Sequence, residues 1–340
     1  MEHQMIWSSF RSLFAAAAAI CIVAVPVAAQ NQKVEEQPTS PTAQKTPPWA
    51  YPVLPPGFQP PLDDGIPKRL AGSNATFTLT QLRDLFTAYD WFPGDHPTMP
   101  EVVARGRKPD VYACGMCHLP NGQDRPENAS LAGLPAAYIA QQMADYKNGL
   151  RRSSEPQMGP PSRMLTVGKN TTDEEVKAAA AYFASLQFRP WIRVVKSETV
   201  PKTRVAGAML VPEEGGGTEP IGQRIIEMAE ELARTELRDP TSGFVAYVPV
   251  GSIKQGESLV TMGGAGKTIP CGICHGQDLK GLWTVPPLAG RSPSYIVRQL
   301  YDMQSGARTG LATQLMREVV AKLTVDDMVS IAAYTASRTP

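Results

Sequence analysis

The apolar pattern of the chain changes character several times. From Leu13 to Val25 it is an unbroken apolar run, shorter than the ~20 residues a membrane-spanning helix needs. Arg11 precedes the run and the small residues Val27-Ala28-Ala29 follow it, so residues 1–29 read as a signal peptide cleaved before Gln30. An uncleaved membrane anchor is the alternative. Ile20, ahead of Cys21, departs from the small residue that a lipoprotein signal wants there.

Residues 30–75 hold no periodicity. Pro38, Pro41, Pro47, Pro48, Pro52, Pro55, Pro56, Pro60 and Pro61 exclude regular helix or sheet. With Trp49, Tyr51 and Phe58 interspersed, this Pro-rich extension is either a loose tether or a segment laid against a domain. Apolar residues return at helical spacing over 76–187. Leu82, Leu85 and Phe86 share one face of a short helix opening at Thr80. Asp90 to Pro100 is a turn-rich loop in which His96 reads as a surface residue. Glu101 to Arg107 forms a short helix behind a proline placed as at a first helical position. Tyr138 to Asn148 is a helix stopped by Gly149. Thr171 and Thr172, followed by Asp173, Glu174 and Glu175, start another, with Val176, Ala180 and Phe183 as its stripe.

Over 188–251 the pattern shifts again. Trp191 to Val195 and Phe244 to Val250 read as strands, and Gly215-Gly216-Gly217 and Asp239-Pro240 as turns. Ile225 to Leu237 fits helix or strand equally. This stretch is read as extended or β-hairpin structure packed against its neighbours. Helical patterning resumes over 252–340, where Thr324-Val325-Asp326-Asp327 opens the last helix.

A length of 340 residues suits two domains of ~100–200 residues each. The net charge of +1 implies no nucleic-acid partner. The cysteines change the picture most. Cys114-Gly115-Met116-Cys117-His118 recurs as Cys271-Gly272-Ile273-Cys274-His275, and these ten positions take four of the five cysteines. Cys-x-x-Cys-His is the pattern of covalent c-type haem attachment. Its two thiols lie within one helical turn, each able to add to one vinyl group of the same porphyrin, and the adjacent histidine falls beneath the ring to bind iron. Local zinc modules space their Cys pairs by roughly 15–20 residues, whereas Cys117 and Cys271 are 154 positions apart. A redox dithiol would not need the histidine. The reading is two covalently bound haem c groups, attached through Cys114, Cys117, Cys271 and Cys274, with His118 and His275 as axial ligands. Export agrees with it, because bacterial c-type haem is attached outside the cytoplasm.

The flanks repeat as well. Leu131-Ala132-Gly133 recurs as Leu288-Ala289-Gly290, and at equal offsets Tyr138, Gln142, Gly149 and Arg151 are matched by Tyr295, Gln299, Gly306 and Arg308. This is the mark of an internal duplication. It also selects the methionines that would fill the second axial positions. Eight residues before Thr172 is Met164, and eight before Thr324 is Met316. Met158 is the alternative in the first domain, where five extra residues disturb the match. A thioether at that position gives a six-coordinate, high-potential iron suited to electron transfer. A carbonyl near Pro286 is placed to accept the second N–H of His275, and Ala129 occupies the matching position for His118.

On these motifs the chain resembles the di-haem class I c-type cytochromes, close to the cytochrome c-four type. The resemblance covers residues 100–187 and 252–338. It implies a mainly α fold with two small helical cytochrome domains, here joined by a long extended or hairpin-containing segment. It implies His118 with Met164 and His275 with Met316 as axial pairs. It further implies a periplasmic carrier of single electrons between redox proteins, such as a membrane dehydrogenase, a quinol-oxidising complex or a terminal oxidase. Any membrane association would come through such a partner or an uncleaved N-terminus. The long middle segment and the Pro-rich extension depart from the family pattern and put its face-to-face domain packing in doubt. The competing readings are a cytochrome subunit of a dehydrogenase complex and a di-haem peroxidase.

Overall fold

A computed structural model describes residues 46–340. The signal-peptide pattern of residues 1–29 lies outside the described residues, as does the start of the Pro-rich extension.

Six helices build the first helical part. α1 (Leu79–Leu82) is capped by Thr78, two residues earlier than the apolar spacing indicates. The Thr78 hydroxyl accepts from the Gln81 N–H, and the Gln81 side chain accepts from the Thr78 N–H. α2 (Glu101–Ala104) begins directly after Pro100. α3 (Cys114–His118) is the first motif itself. α4 (Ala136–Lys147) packs against α5 (Gly159–Asn170) and α6 (Asp173–Ser185), the last held by a Thr172–Glu175 capping box. Val103, Val111, Ile139, Ala180 and Phe183 form the core between them.

The middle stretch is β-rich. It contains β1 (Ile192–Ser197), β2 (Thr199–Pro201), β3 (Thr203–Ala206), β4 (Met209–Pro212), β5 (Thr218–Pro220), β6 (Ile226–Ala229), α7 (Leu232–Glu236) and β7 (Phe244–Pro249). β7 is central in a three-stranded sheet, parallel to β1 with Phe244 opposite Ile192, and antiparallel to β6 with Tyr247 opposite Ile226. β3 and β4 form a hairpin, and β2 pairs with β5. The ambiguous stretch from Ile225 to Leu237 is therefore both things in succession. Ile226 and Met228 are buried with Val200 and Ile221, which fixes a strand, and the chain then turns into α7.

This segment docks on both sides. Trp91 Nε1 donates to the Leu237 carbonyl at 2.8 Å, and Asn121 Nδ2 to that of Pro240 at 2.6 Å. On the other side buried Glu227 of β6 accepts from the Ser292 and Ser294 hydroxyls and from the Ser294 N–H at 2.6–3.1 Å. That places a carboxylate at a helix N-terminus, where the unsatisfied N–H groups and the helix dipole favour it.

The second helical part holds α8 (Ser252–Met262), α9 (Gly272–His275), α10 (Pro293–Ser305), α11 (Leu311–Val320) and α12 (Val325–Ala336). The order of a helix, a short motif helix and three longer helices is the order of α2 to α6. α8 crosses α12 so closely that a Cβ on Gly256 would lie 1.9 Å from the Ser330 carbonyl oxygen. The core here includes Val297, Met328, Val329 and Ala332. It also takes in Tyr51 from the Pro-rich extension, 2% exposed, whose hydroxyl donates to Asp302 at 2.7 Å. Around Tyr51 the extension is thus laid against a domain. Among the described residues no helix is long and apolar enough to cross a membrane.

Candidate functional site

A cavity of about 1250 Å³ runs between the two helical parts. Its walls carry Cys114, Cys117 and His118 from α3, and Cys271, Cys274 and His275 from the second motif. Met164 of α5 and Met316 of α11 line it too. Met158 does not line it. It sits at the N-cap of α5, fully buried in the core shared with Tyr51 and Val297. A few residues later, Pro160 and Pro161 at the start of α5 preset the backbone of the turn that leads to Met164. His96 lies away from this cavity, its Nε2 3.1 Å from Asp90 and its Nδ1 3.0 Å from the Tyr182 hydroxyl.

None of the four motif cysteines is engaged in a disulfide. Burial pushes Cys114 up to about 12, helped by the neighbouring Cys117, and Cys271 up to about 11. No group of three or more His, Cys, Asp or Glu among the described residues could hold a bare metal ion. What converges on the cavity is instead two thiol pairs, two imidazoles and two thioethers, with walls otherwise largely apolar. That donor set suits iron in a porphyrin, and the residues present fit haem c in both halves.

Both histidines are oriented through Nδ1. His275 Nδ1 lies 2.8 Å from the Pro286 carbonyl, and His118 Nδ1 lies 3.0 Å from the Ala129 carbonyl. With the proton on Nδ1, Nε2 keeps the lone pair that a metal needs. The first histidine has a further partner that motif spacing did not reveal. Asp124 Oδ2 is 2.5 Å from His118 Nδ1, and its side chain is wholly buried. The two imidazoles respond in opposite directions. Burial acts against the charged form of each. At His118 the charge and hydrogen bond of Asp124 prevail and the pKa rises, whereas at His275 burial prevails over the Pro286 carbonyl and it falls.

The loop behind His118 is held by arginines of the second part. Arg291 donates to the carbonyls of Ser130 and Ala132 at 2.7 and 3.2 Å and stacks over Phe188 at 3.9 Å. Arg298 donates to the carbonyls of Ala50 and Pro126. These roles were illegible in the sequence, because the carbonyls they satisfy are distant and carry no residue signature.

Between the halves, the residues that match across the two segments pair with one another. Arg151 donates to Gln142 of its own half and to Tyr295 and Gln299 of the other, at 2.9–3.2 Å. Arg308 donates to Gln299 of its own half and to Tyr138 and Gln142 of the other, at 2.7–3.1 Å. Backbone bonds from Arg152 to Ala307 and from Thr309 to Leu150 join the two loop segments that carry the arginines, which pair antiparallel at Arg151 and Arg308. The halves therefore meet face to face despite the long segment between them. That segment packs beside the interface instead of separating it.

The cytochrome c family model matches residues 103–187. Over 76 residues the chain is 34% identical to cytochrome c-554(548) of Halomonas halodenitrificans, which covers 22% of this chain and 92% of that protein. The chain is a c-type cytochrome. It is c4-like: it is 26% identical over 226 residues to cytochrome c4 of Pseudomonas aeruginosa, across 65% of this chain and 81% of the relative. It is also 26% identical over 239 residues to a thiosulfate dehydrogenase electron acceptor of Stutzerimonas stutzeri, across 68% of this chain and 82% of the relative. The cytochrome accordingly works in electron transfer with covalently bound haem c, and its helical fold is the one the motifs imply.

Proposed function

We propose that this cytochrome is a periplasmic di-haem carrier that relays single electrons between redox proteins and is not itself an enzyme. The observation that supports it most is the shared cavity, on which two Cys-x-x-Cys-His motifs and the methionines Met164 and Met316 converge. In this reading Cys114, Cys117, Cys271 and Cys274 hold two haems by thioether bonds, and the axial pairs are His118–Met164 and His275–Met316. The repeat of motif, helix order and interface residues reflects an internal duplication, with domains at 76–187 and 252–340 around a docking segment at 188–251. A haem c group supplies one-electron chemistry at its iron. The chain supplies the rest: imidazole and thioether ligation, an apolar cavity that limits water, and a fixed distance between the two sites.

The donor is a dehydrogenase-type partner, a reading that follows from the likeness to an electron acceptor of such an enzyme. Residues 1–29 act as an export signal, so mature protein begins at Gln30. Mass spectrometry of the denatured, purified protein tests the central claim. Two haem additions and an N-terminus at Gln30 are expected. A single addition, or a ferric form that binds cyanide at both haems as fast as a five-coordinate haem protein, would overturn the carrier reading.

A further inference from the structure

The two motif histidines sit at matched positions, and the partners of their Nδ1 atoms differ by one side chain. The residue six positions after His118 is Asp124, and six after His275 is Gly281. Both adopt a left-handed backbone, with φ 77° and 87°. The carbonyl that meets each Nδ1 also lies eleven residues on, from Ala129 and from Pro286. At this shared left-handed position the second half carries no side chain, while the first carries a carboxylate. Asp124 is one of the few residue types that tolerate such a φ.

The carboxylate is held in place. Its Oδ1 accepts from the Arg125 N–H at 2.7 Å and from Asn128 Nδ2 at 3.0 Å, which leaves Oδ2 to meet His118 Nδ1 at 2.5 Å. Asn128 Nδ2 also donates to the Cys117 carbonyl at 3.1 Å, tying the arrangement to the motif helix. Asp124 is 2% exposed, so water does not compete for it.

We propose that Asp124 is a positioning and tuning residue that makes the two haem sites unequal, holding the His118 site at the lower reduction potential so that electrons pass from it to the His275 site. This rests on the axial assignment proposed above. A carboxylate accepting from Nδ1–H forms a stronger, charge-assisted hydrogen bond than a carbonyl does. It draws the proton away from the ring and leaves the imidazole a stronger electron donor through Nε2. A more basic axial ligand stabilises Fe(III) over Fe(II), and hydrogen bonding to a ligand is one of the ways a protein sets a haem potential. His275, with a carbonyl partner and no second acceptor among the described residues, keeps the higher potential. In the internal step one electron leaves the His118-bound iron, which goes from Fe(II) to Fe(III). The same electron reduces the His275-bound iron from Fe(III) to Fe(II). No atom or proton is transferred. A reduced redox protein supplies the electron and an oxidised one removes it.

Spectroelectrochemical titration of the intact cytochrome tests this. Wild type is expected to show two one-electron waves. Asp124→Asn keeps the shape and the left-handed backbone but removes the charge, and Asp124→Gly reproduces the second site. Each should raise the lower wave and leave the upper one in place. The expected size is a tenfold change in the equilibrium between the sites, about 59 mV for a one-electron couple. Met164→Ala should move the same wave, and Met316→Ala the other. Glu127→Gln removes a second buried carboxylate, one that pairs with Arg125 at 2.6 Å and accepts no hydrogen bond from His118, and should shift the lower wave much less. The inference is overturned if neither Asp124 variant shifts the lower wave, or if the shifted wave is the one that Met316→Ala moves. An equal shift from Glu127→Gln, or loss of first-site haem in both Asp124 variants, would also overturn it. In each case two thioether-bound haems with methionine-ligated spectra would leave the carrier reading standing. Absence of a second haem in wild type would instead defeat that reading itself.

Discussion

At the scale of single residues, the three methionines considered as axial ligands have unlike surroundings, and this separates their roles. Met164 and Met316 face the cavity, whereas Met158 is packed in a core. Met316→Ala and Met164→Ala should each remove one haem's share of the sulfur-to-iron charge-transfer absorption at the red end of the visible spectrum. Each should also lower that haem's potential, because thioether ligation favours reduced iron. Met158→Ala should leave the spectrum unaltered and instead cost about 2–5 kcal/mol of stability, the range for emptying a packed core position. Absorption and urea denaturation of the three variants check both halves of this expectation. His96 offers a test by pH. The hydrogen bond and charge of Asp90 raise the folded-state pKa of His96 against the opposing effect of burial. Folding therefore takes up a proton. The stabilisation is complete below about pH 6.5, the unfolded value, and is lost as the pH rises through the higher folded-state value. His96→Gln should flatten the decline in unfolding midpoint over that window, and an unchanged decline would show that another group causes it.

At the scale of elements, the positions legible in the sequence are those whose cause is local. The Thr172 and Thr324 helix starts follow from side chains bonding backbone N–H groups three residues away. The strand at Phe244–Pro249 follows from its run of buried apolar residues. The stretch from Ile225 to Leu237 was undecidable, since its apolar spacing served helix and strand alike, and only burial against Val200 and Ile221 made its first part β6. Element packing is also where a small change should tell. Gly256 lets α8 touch α12, and an added methyl would meet the Ser330 carbonyl at 1.9 Å. Gly256→Ala should destabilise by about 1–3 kcal/mol, as overpacking does. A lowered denaturation midpoint with an unchanged slope is the expected record.

At the scale of the whole molecule, the arginines Arg151 and Arg308 tie the halves together through buried, charge-assisted hydrogen bonds. Arg151→Ala and Arg308→Ala should each cost about 1.5–3 kcal/mol per lost charged hydrogen bond. Because they share Gln142 and Gln299, the double variant should lose less than the sum. Calorimetry of the double variant should show the unfolding of the two halves separating into distinct transitions, and strict additivity with a single transition would refute the coupling.

The sequence by itself determined the haem-binding motifs, the repeat of their flanks and the helical class, because each depends on residues within a few turns of one another or on like offsets in one chain. The tertiary structure alone decided the rest. Tyr51 meets its partner Asp302 from 251 positions away in the chain, and β1 pairs in parallel with β7, five other strands lying between the two in sequence. Arg151 and Arg308 exchange partners only once the halves face each other. Asp124 stands six residues from His118 in plain view, yet its contact depends on a left-handed turn and on burial that excludes water, and neither is written in its spacing.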